Sequence, residues 1–341
     1  MNRIIIATIV GILFSNIAIS QAQQFSVEGL KAICHKARFT VRVVDEASHP
    51  LHNVTVAQGF TSFSNGIPED VCKGLTDVSG LFTCEGFLWH KSDLGGKIES
   101  PDYYRGYCPV KFTGETNTPS NRWLPWDATF TTILRPKVKP ISMYARRVES
   151  AVPAVDQPCG FDLEIGDWVM PHGKGIKKDL IFTLHQDYRS MQDFDIRGEL
   201  AFAGSLDGVQ ETFIPEIGKN SDFRWERQAP ENGYQAKFTL QNTWAPGERE
   251  GNIITHSFKK ETEWQGYFFR VRSVEQDGKI VSAHYGKLRG GIAIWPDEKS
   301  GKPLLVFTYY LNPTSLDRNM EFDPEKNLFR DLKWDERRRD P

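Results

Sequence analysis

Apolar and polar residues alternate in steps of two along much of this chain. Phe39-Thr40-Val41-Arg42-Val43-Val44-Asp45 is the clearest early run, and Val54-Thr55-Val56 follows a Ser48-His49-Pro50-Leu51 turn. The same period returns at Phe194, Ile196, Gly198, Leu200 and Phe202, and again at Tyr234, Ala236, Phe238 and Leu240. A period of two sends alternate side chains to a core face and to water, which marks half-buried strands. Turn signals punctuate the runs. In Thr76-Asp77-Val78-Ser79-Gly80 and in Gln276-Asp277-Gly278, Asp closes the turn and Gly takes positive φ. No stretch keeps a helical period. Many short strands joined by tight turns predict an all-β protein of two antiparallel β-sandwich domains, the second a larger sandwich or jelly roll.

The length of 341 residues suits two domains. Prolines 136, 140 and 153, with no clear periodicity around them, place a linker at 137–155. The first domain then spans 23–136 and the second 156–332, with a charged, frayed tail at 333–341. Residues 1–22 read as a signal peptide: a positive start at Asn2-Arg3, an almost wholly apolar Ile4 to Ile19, and small residues Ser20 and Ala22 before the cleavage point. The mature chain is therefore expected to be secreted or periplasmic, with no membrane span after cleavage near Ala22.

Composition narrows the function classes. The chain is 39% hydrophobic and 25% charged with a formal net charge of −2, so no large basic field recommends nucleic acid as a partner. Export permits disulfides. Cys72 and Cys84 flank the Thr76–Gly80 turn, which puts them opposite one another on a hairpin and suggests a bridge. Cys34 with Cys108 is the second pair by elimination, and Cys159 is left over. The oligomeric state is not legible.

Two resemblances sharpen the domains. Val43-Val44-Asp45, Pro50-Leu51-His52-Asn53-Val54-Thr55-Val56 and Thr76-Asp77-Val78-Ser79-Gly80-Leu81-Phe82 resemble the carboxypeptidase regulatory-like domain over residues 35–136. That resemblance implies a small transthyretin-like or immunoglobulin-like sandwich acting as an accessory module. The zinc-binding catalytic partner of the carboxypeptidases has no counterpart: no His-x-x-Glu and no His-Glu-x-x-His occurs. An aromatic-rich insertion, Gly86 to Trp126, departs from the family pattern and is read as structural. Over 146–330, Gly160–Val169 with Gly173-Lys174-Gly175, Phe268–Arg272, and Tyr309–Thr314 with Asp317–Asp323 resemble exported bacterial proteins to which no reaction attaches.

Candidate chemistry concentrates in two stretches. Gly166-Asp167-Trp168-Val169-Met170-Pro171-His172-Gly173-Lys174-Gly175 imitates a phosphate loop, but Gly175 stands where Ser or Thr must hold Mg²⁺, and a strand rather than a helix follows. Asp162, Glu164 and Asp167 are the candidate catalytic carboxylates, because glycoside hydrolysis needs two carboxyl groups a few ångströms apart. Trp168, His172, Lys174, Tyr310, Asn312 and Arg318 are the candidate binding residues, with Trp168 available to stack on a sugar ring. Asp317, Asn319, Glu321 and Asp323 place oxygen at every second position, as the start of a calcium loop does. Phe322 then stands where the loop Gly belongs and Leu328 where its Glu belongs. No cofactor is expected beyond Ca²⁺ at these four residues. These readings make the chain an exported, non-enzymatic binding or structural protein that engages extracellular glycan or a cell-surface partner. The alternative is a secreted hydrolase acting on glycans.

Overall fold

The computed structural model describes residues 35–63, 67–88, 94–115, 121–215, 220–247, 252–253 and 263–341. The expected signal peptide and cleavage site, Cys34 and Trp89 lie outside these residues. The chain is all β, built almost entirely from antiparallel sheets. No helix among the described residues is long and apolar enough to cross a membrane. Two compact units emerge: Met1–Glu99 with Tyr107–Ile133, and Ser100–Gly106 with Leu134–Pro341.

The first unit carries β1 (His35–Val44), β2 (Thr55–Phe63), β3 (Ile67–Leu75), β4 (Leu81–Leu88), β5 (Leu94–Glu99), β6 (Gly106–Val110), β7 (Gly114–Glu115), β8 (Trp123–Leu124) and β9 (Ala128–Ile133). One sheet has the order β4-β1-β9, with β9 parallel to β1; another runs β6-β5-β2-β3. Phe39, Val41 and Val43 alternate into the core as the sequence pattern requires, and the Phe39 ring meets Phe60 of the other sheet at 5.6 Å. The Thr76–Gly80 turn forms as expected. Asp77 accepts the backbone N–H groups of Ser79 and Leu81 at 2.8 and 2.9 Å, and Gly80 takes φ +72°. The strands it joins do not pair, however. β3 and β4 belong to different sheets, so the Cys72–Cys84 disulfide ties one sheet to the other rather than closing a hairpin. The expected Cys34–Cys108 pair has one end outside the described residues, and Cys108 is buried. Cys159 keeps a free thiol, buried against the Ala154 and Gln157 carbonyls. Within the aromatic insertion Tyr104 and Trp123 are buried, and Trp123 donates its indole N–H to the Leu88 carbonyl at 3.1 Å, while Tyr103, Tyr107 and Trp126 are partly exposed.

The second unit is the larger sandwich. Its strands are β10 (Tyr144–Ala151), β11 (Cys159–Asp162), β12 (Asp167–Trp168), β13 (Leu180–Ser190), β14 (Asp193–Ala201), β15 (Gly208–Pro215), β16 (Asn220–Ser221) and β17 (Lys237–Trp244). They continue through β18 (Asn252–Ile253), β19 (Glu263–Gln276), β20 (Lys279–Arg289), β21 (Ala293–Asp297) and β22 (Lys302–Asn312). One sheet contains β10-β22-β20-β19-β15 with β21 beside β22, and the other runs β12-β11-β13-β14-β17-β18. Between them lies one core. Phe161, Trp168, Phe182, Leu184, Ile196 and Leu240 come from the second sheet, and Phe269, Val271, Leu288, Phe307, Tyr309 and Leu311 from the first. The Gln276-Asp277-Gly278 hairpin forms, with Asp277 and Gly278 both at positive φ. The back of the first sheet is not left to water. Phe268, Tyr285 and Tyr310 point there and are covered by Phe223, Trp225, Met320 and Phe322 from the connecting loops.

Two boundaries shift. The expected linker 137–155 contains β10, which pairs along its length with β22 inside this sandwich. Prolines at its ends concealed the strand between them. The tail expected to fray at 333–341 is docked: Glu336 bonds Arg146 at 2.6 Å, the Glu336 carbonyl accepts the Arg147 N–H, and Asp340 accepts the Tyr310 hydroxyl at 3.0 Å.

Candidate functional site

The Gly166–Gly175 stretch is a turn held from inside by two aspartates. Asp162 ends β11, buried to 2% exposure. One of its carboxylate oxygens accepts the N–H groups of Glu164 (3.0 Å) and Ile165 (3.2 Å); the other accepts those of Ile176 and Lys177, both at 2.9 Å. Burial pushes this carboxyl up, but the four backbone donors outweigh burial and hold it below its ordinary value. Asp167 accepts the N–H of Trp168 at 2.8 Å and that of Lys174 at 2.9 Å. Gly175 is required by close approach: a Cβ there would stand 2.7 Å from the Asp167 carbonyl oxygen.

Arg272 completes the cluster. It sits at φ +58° in a bulge of β19, where Asp207 accepts the N–H groups of Arg272 and Ser273 at 3.0 and 2.9 Å. The bulge aims the guanidinium across the sandwich edge. There it grips buried Asp179 with two bonds of 2.7 Å, reaches Glu164 at 2.6 Å and lies 3.3 Å from Asp162. Burial pushes Asp179 above the usual carboxylate range against the pull of Arg272, while Asp179 and Glu164 outweigh burial at Arg272 and hold its charge more firmly than usual. His284 lies 3.8 Å from Glu164, and burial together with Arg272 pushes its ring toward the neutral form.

The candidate residues therefore separate by role. Asp162, Glu164 and Asp167 do meet in space, but Asp162 and Asp167 accept the backbone of the turn and Glu164 pairs with Arg272. Trp168 is a core residue at 5% exposure, edge-on to Phe161 and Phe182, with its indole N–H on Ser150. No sugar can stack on it. Its alternation with exposed neighbours did not tell which face of β12 meets the core. His172 and Lys174 are exposed, and their side chains make no hydrogen bond or ion pair.

The second stretch is structural throughout. Tyr310 is buried. Buried Asn312 donates to the carbonyls of Asp317 and Asn319. Arg318 bonds the Ala229 carbonyl and Glu231, both at 2.8 Å. The oxygen alternation serves the chain itself: Asp317 accepts Asn319 N–H, Asn319 accepts Glu321 N–H, and Asp323 accepts Glu325 N–H. Glu321 accepts Lys139 N–H and pairs with Arg227. No group of three or more acidic, His or Cys side chains among the described residues is arranged to hold a metal.

No protein-family description matches the chain, and no curated protein matches its sequence. Among solved structures, part of the chain is similar to 3-chlorocatechol 1,2-dioxygenase from Rhodococcus opacus 1CP, with 16% identity and a TM-score of 0.23. It is also similar to hydroxyquinol 1,2-dioxygenase from Pseudomonas putida DLL-E4, with 11% identity and the same TM-score. Each match covers 30% of this chain, and 59% and 57% of the respective dioxygenase chains.

Sequence reasoning missed Arg272, Asp179 and a buried lysine, Lys287. Lys287 occupies a core-facing position of β20, packed under Phe223, Trp225 and Tyr310 with its ammonium 4.8–5.3 Å from their ring centres. Its one acceptor is the Met320 carbonyl at 2.9 Å. Alternation could have found it: counting by two from Ala283 and Tyr285 reaches Lys287 on the same face.

Proposed function

We propose that this chain is an exported binding protein without catalysis of its own. The first unit serves as a carboxypeptidase regulatory-like spacer, and the second presents the turn at 165–178 to a cell-surface protein. One observation carries the reading. The Asp162 and Asp167 clamps hold a turn whose outward side chains are aliphatic and basic: Ile165, Met170 (72% exposed) and Ile176 (77% exposed), with His172, Lys174 and Lys177. Ile165 and Ile176 are brought together because both donate to the same carboxylate, and Met170 joins them through its bond to the Gly175 carbonyl. A rigid apolar knuckle rimmed by cations suits a partner with an apolar centre and acidic edge, since preorganisation lowers the ordering cost of binding. No Trp, Tyr or Phe is exposed on this turn, which favours a protein over a stacked glycan. A hydrolase would need a carboxyl group free to donate or accept a proton, and the carboxylates here already serve the turn.

The test is binding of the purified mature chain to intact cells of its source. The double variant Met170→Ser/Ile176→Ser should bind at least about tenfold more weakly at unchanged thermal midpoint, the size expected for losing two buried aliphatic contacts. Unchanged cell binding would overturn the site. Turnover of extracellular polysaccharide by the wild-type chain would overturn the non-enzymatic reading.

A further inference from the structure

The C-terminal segment builds a cavity that the knuckle does not use. After β22 the chain forms a short 3₁₀ turn at Pro324–Lys326 and then folds back over the sandwich. Between this turn and the last residues lies a cavity of about 270 Å³. Phe329 and Leu332 give it an apolar wall, while Arg330, Arg337, Arg338 and Arg339 surround it; Glu325 is the one acidic residue in its lining.

Three acidic residues of the neighbourhood are paired away from the cavity, and Asp331 and Asp335 are not part of its lining. Asp340 pairs with Arg289 and accepts the Tyr310 hydroxyl, Glu336 pairs with Arg146, and Asp323 pairs with Lys326. Arg337 uses its Nε on the Leu332 carbonyl, and Arg338 bonds the carbonyls of Asp335 and Glu336. Arg330 and Arg339 make no hydrogen bond or ion pair. Four arginines against one glutamate in the lining leave it with an excess of positive charge. Burial pushes the Arg338 guanidinium below its ordinary value against the pull of Tyr310 and Asp340, with Arg147 and Arg289 adding to the fall.

We propose that this cavity is a binding site for a small organic anion, a carboxylate- or phosphate-bearing molecule of about one sugar ring in size. The planar forks of Arg330 and Arg339 suit two-point recognition of such a group. Phe329 and Leu332 would take the non-polar face of its body, the division of labour common to small-ligand pockets. The assignment is independent of the knuckle, because it shares none of its side chains.

The experiment is calorimetric titration of the full mature chain at low ionic strength with glucuronate, glucose 6-phosphate, glucose and inorganic phosphate. Binding of glucuronate or glucose 6-phosphate is expected, weakening as salt is raised. Glucuronate alone identifies a carboxylate ligand, and glucose 6-phosphate alone a phosphorylated one. The double variant Arg330→Ser/Arg339→Ser should lose affinity by about tenfold or more, the effect of removing charge-assisted bonds, with its thermal midpoint unchanged. The single variant Arg339→Ser serves should the double variant fail to fold, and should lose affinity by a smaller factor. No binding of either anion, equal binding of glucose, inorganic phosphate binding as tightly as glucose 6-phosphate, or variants that bind like wild type would overturn the proposal.

Discussion

Arg272 and Lys287 lie on one long hairpin of the second unit, the first partly and the second fully buried, and they are neutralised in opposite ways. Arg272, in β19, is met by Asp179, Glu164 and Asp162. Lys287, in β20, is met by three aromatic faces and one carbonyl, with no carboxylate in ion-pair range. Burial opposes the charge on Arg272, but the hydrogen bonds and Coulomb attraction of Asp179 and Glu164 exceed that penalty, so Arg272 stays charged. Ring quadrupoles and one hydrogen bond do not, and burial pulls Lys287 from 10.5 down to about 7; Asp340 opposes this, while Arg289 and Arg135 reinforce it. The comparison teaches that a buried charge in this sandwich reveals its role by what surrounds it. Arg272 locks a turn to a sheet edge, whereas Lys287 is a burden the core carries.

The largest expected effect is at Arg272. Arg272→Met strands Asp162, Asp179 and Glu164 together and should cost about 3–5 kcal/mol, read from chemical denaturation. Arg272→Lys should recover little of it, because a single ammonium cannot reproduce the bidentate grip on Asp179.

Lys287→Met should move stability the other way. Holding the ammonium in place costs the fold roughly 5 kcal/mol, taking the fall from 10.5 to about 7. The folded value lies below the unfolded one, so the unfolded chain holds the extra proton between them. Wild-type stability should therefore rise with pH from about 7 toward 10.5, whereas the methionine variant should start higher and lack that rise. Thermal or urea unfolding of both chains at pH 7, 8 and 9 measures the difference, staying below the range where tyrosines titrate. A flat difference across that range would refute the account of Lys287.

Asp167→Ala is a smaller perturbation. Two backbone bonds are lost at the half-buried turn, for about 1–2 kcal/mol. Amide hydrogen exchange should quicken at Trp168 and Lys174 while β13 and β14 keep their protection. Calcium marks the small end of the scale: adding millimolar Ca²⁺ should leave the thermal midpoint where it was, since the Asp317–Asp323 oxygens are bonded to the chain. A clear rise would show that these side chains reorganise around the ion.

Strands were the legible part of the sequence. Alternation at Phe39–Val43 and Phe194–Leu200, and the Asp277-Gly278 turn, carry over directly because period and turn chemistry are local. Sheet membership is not local. The Asp77–Gly80 turn has hairpin residues, yet its flanking strands enter different sheets, which side-chain period cannot reveal. The site was half legible for the same reason. Asp162 and Asp167 stand out by composition, but the cluster that Asp162 shares with Asp179 and Glu164 is completed by Arg272, about a hundred residues away and aimed by a bulge. A bulge breaks the period of two, so no pattern count would have turned Arg272 toward Asp179.

The inter-sheet disulfide has a mechanical consequence. If the chain is pulled from its ends, the 12-residue span from Cys72 to Cys84 is bypassed by the covalent bond. The turn held by Asp77 then never bears load, and the two sheets of the first unit remain tethered even after their strands have peeled apart. In a single-molecule stretching trace, the oxidised unit should release about 40 Å less contour length than the reduced one.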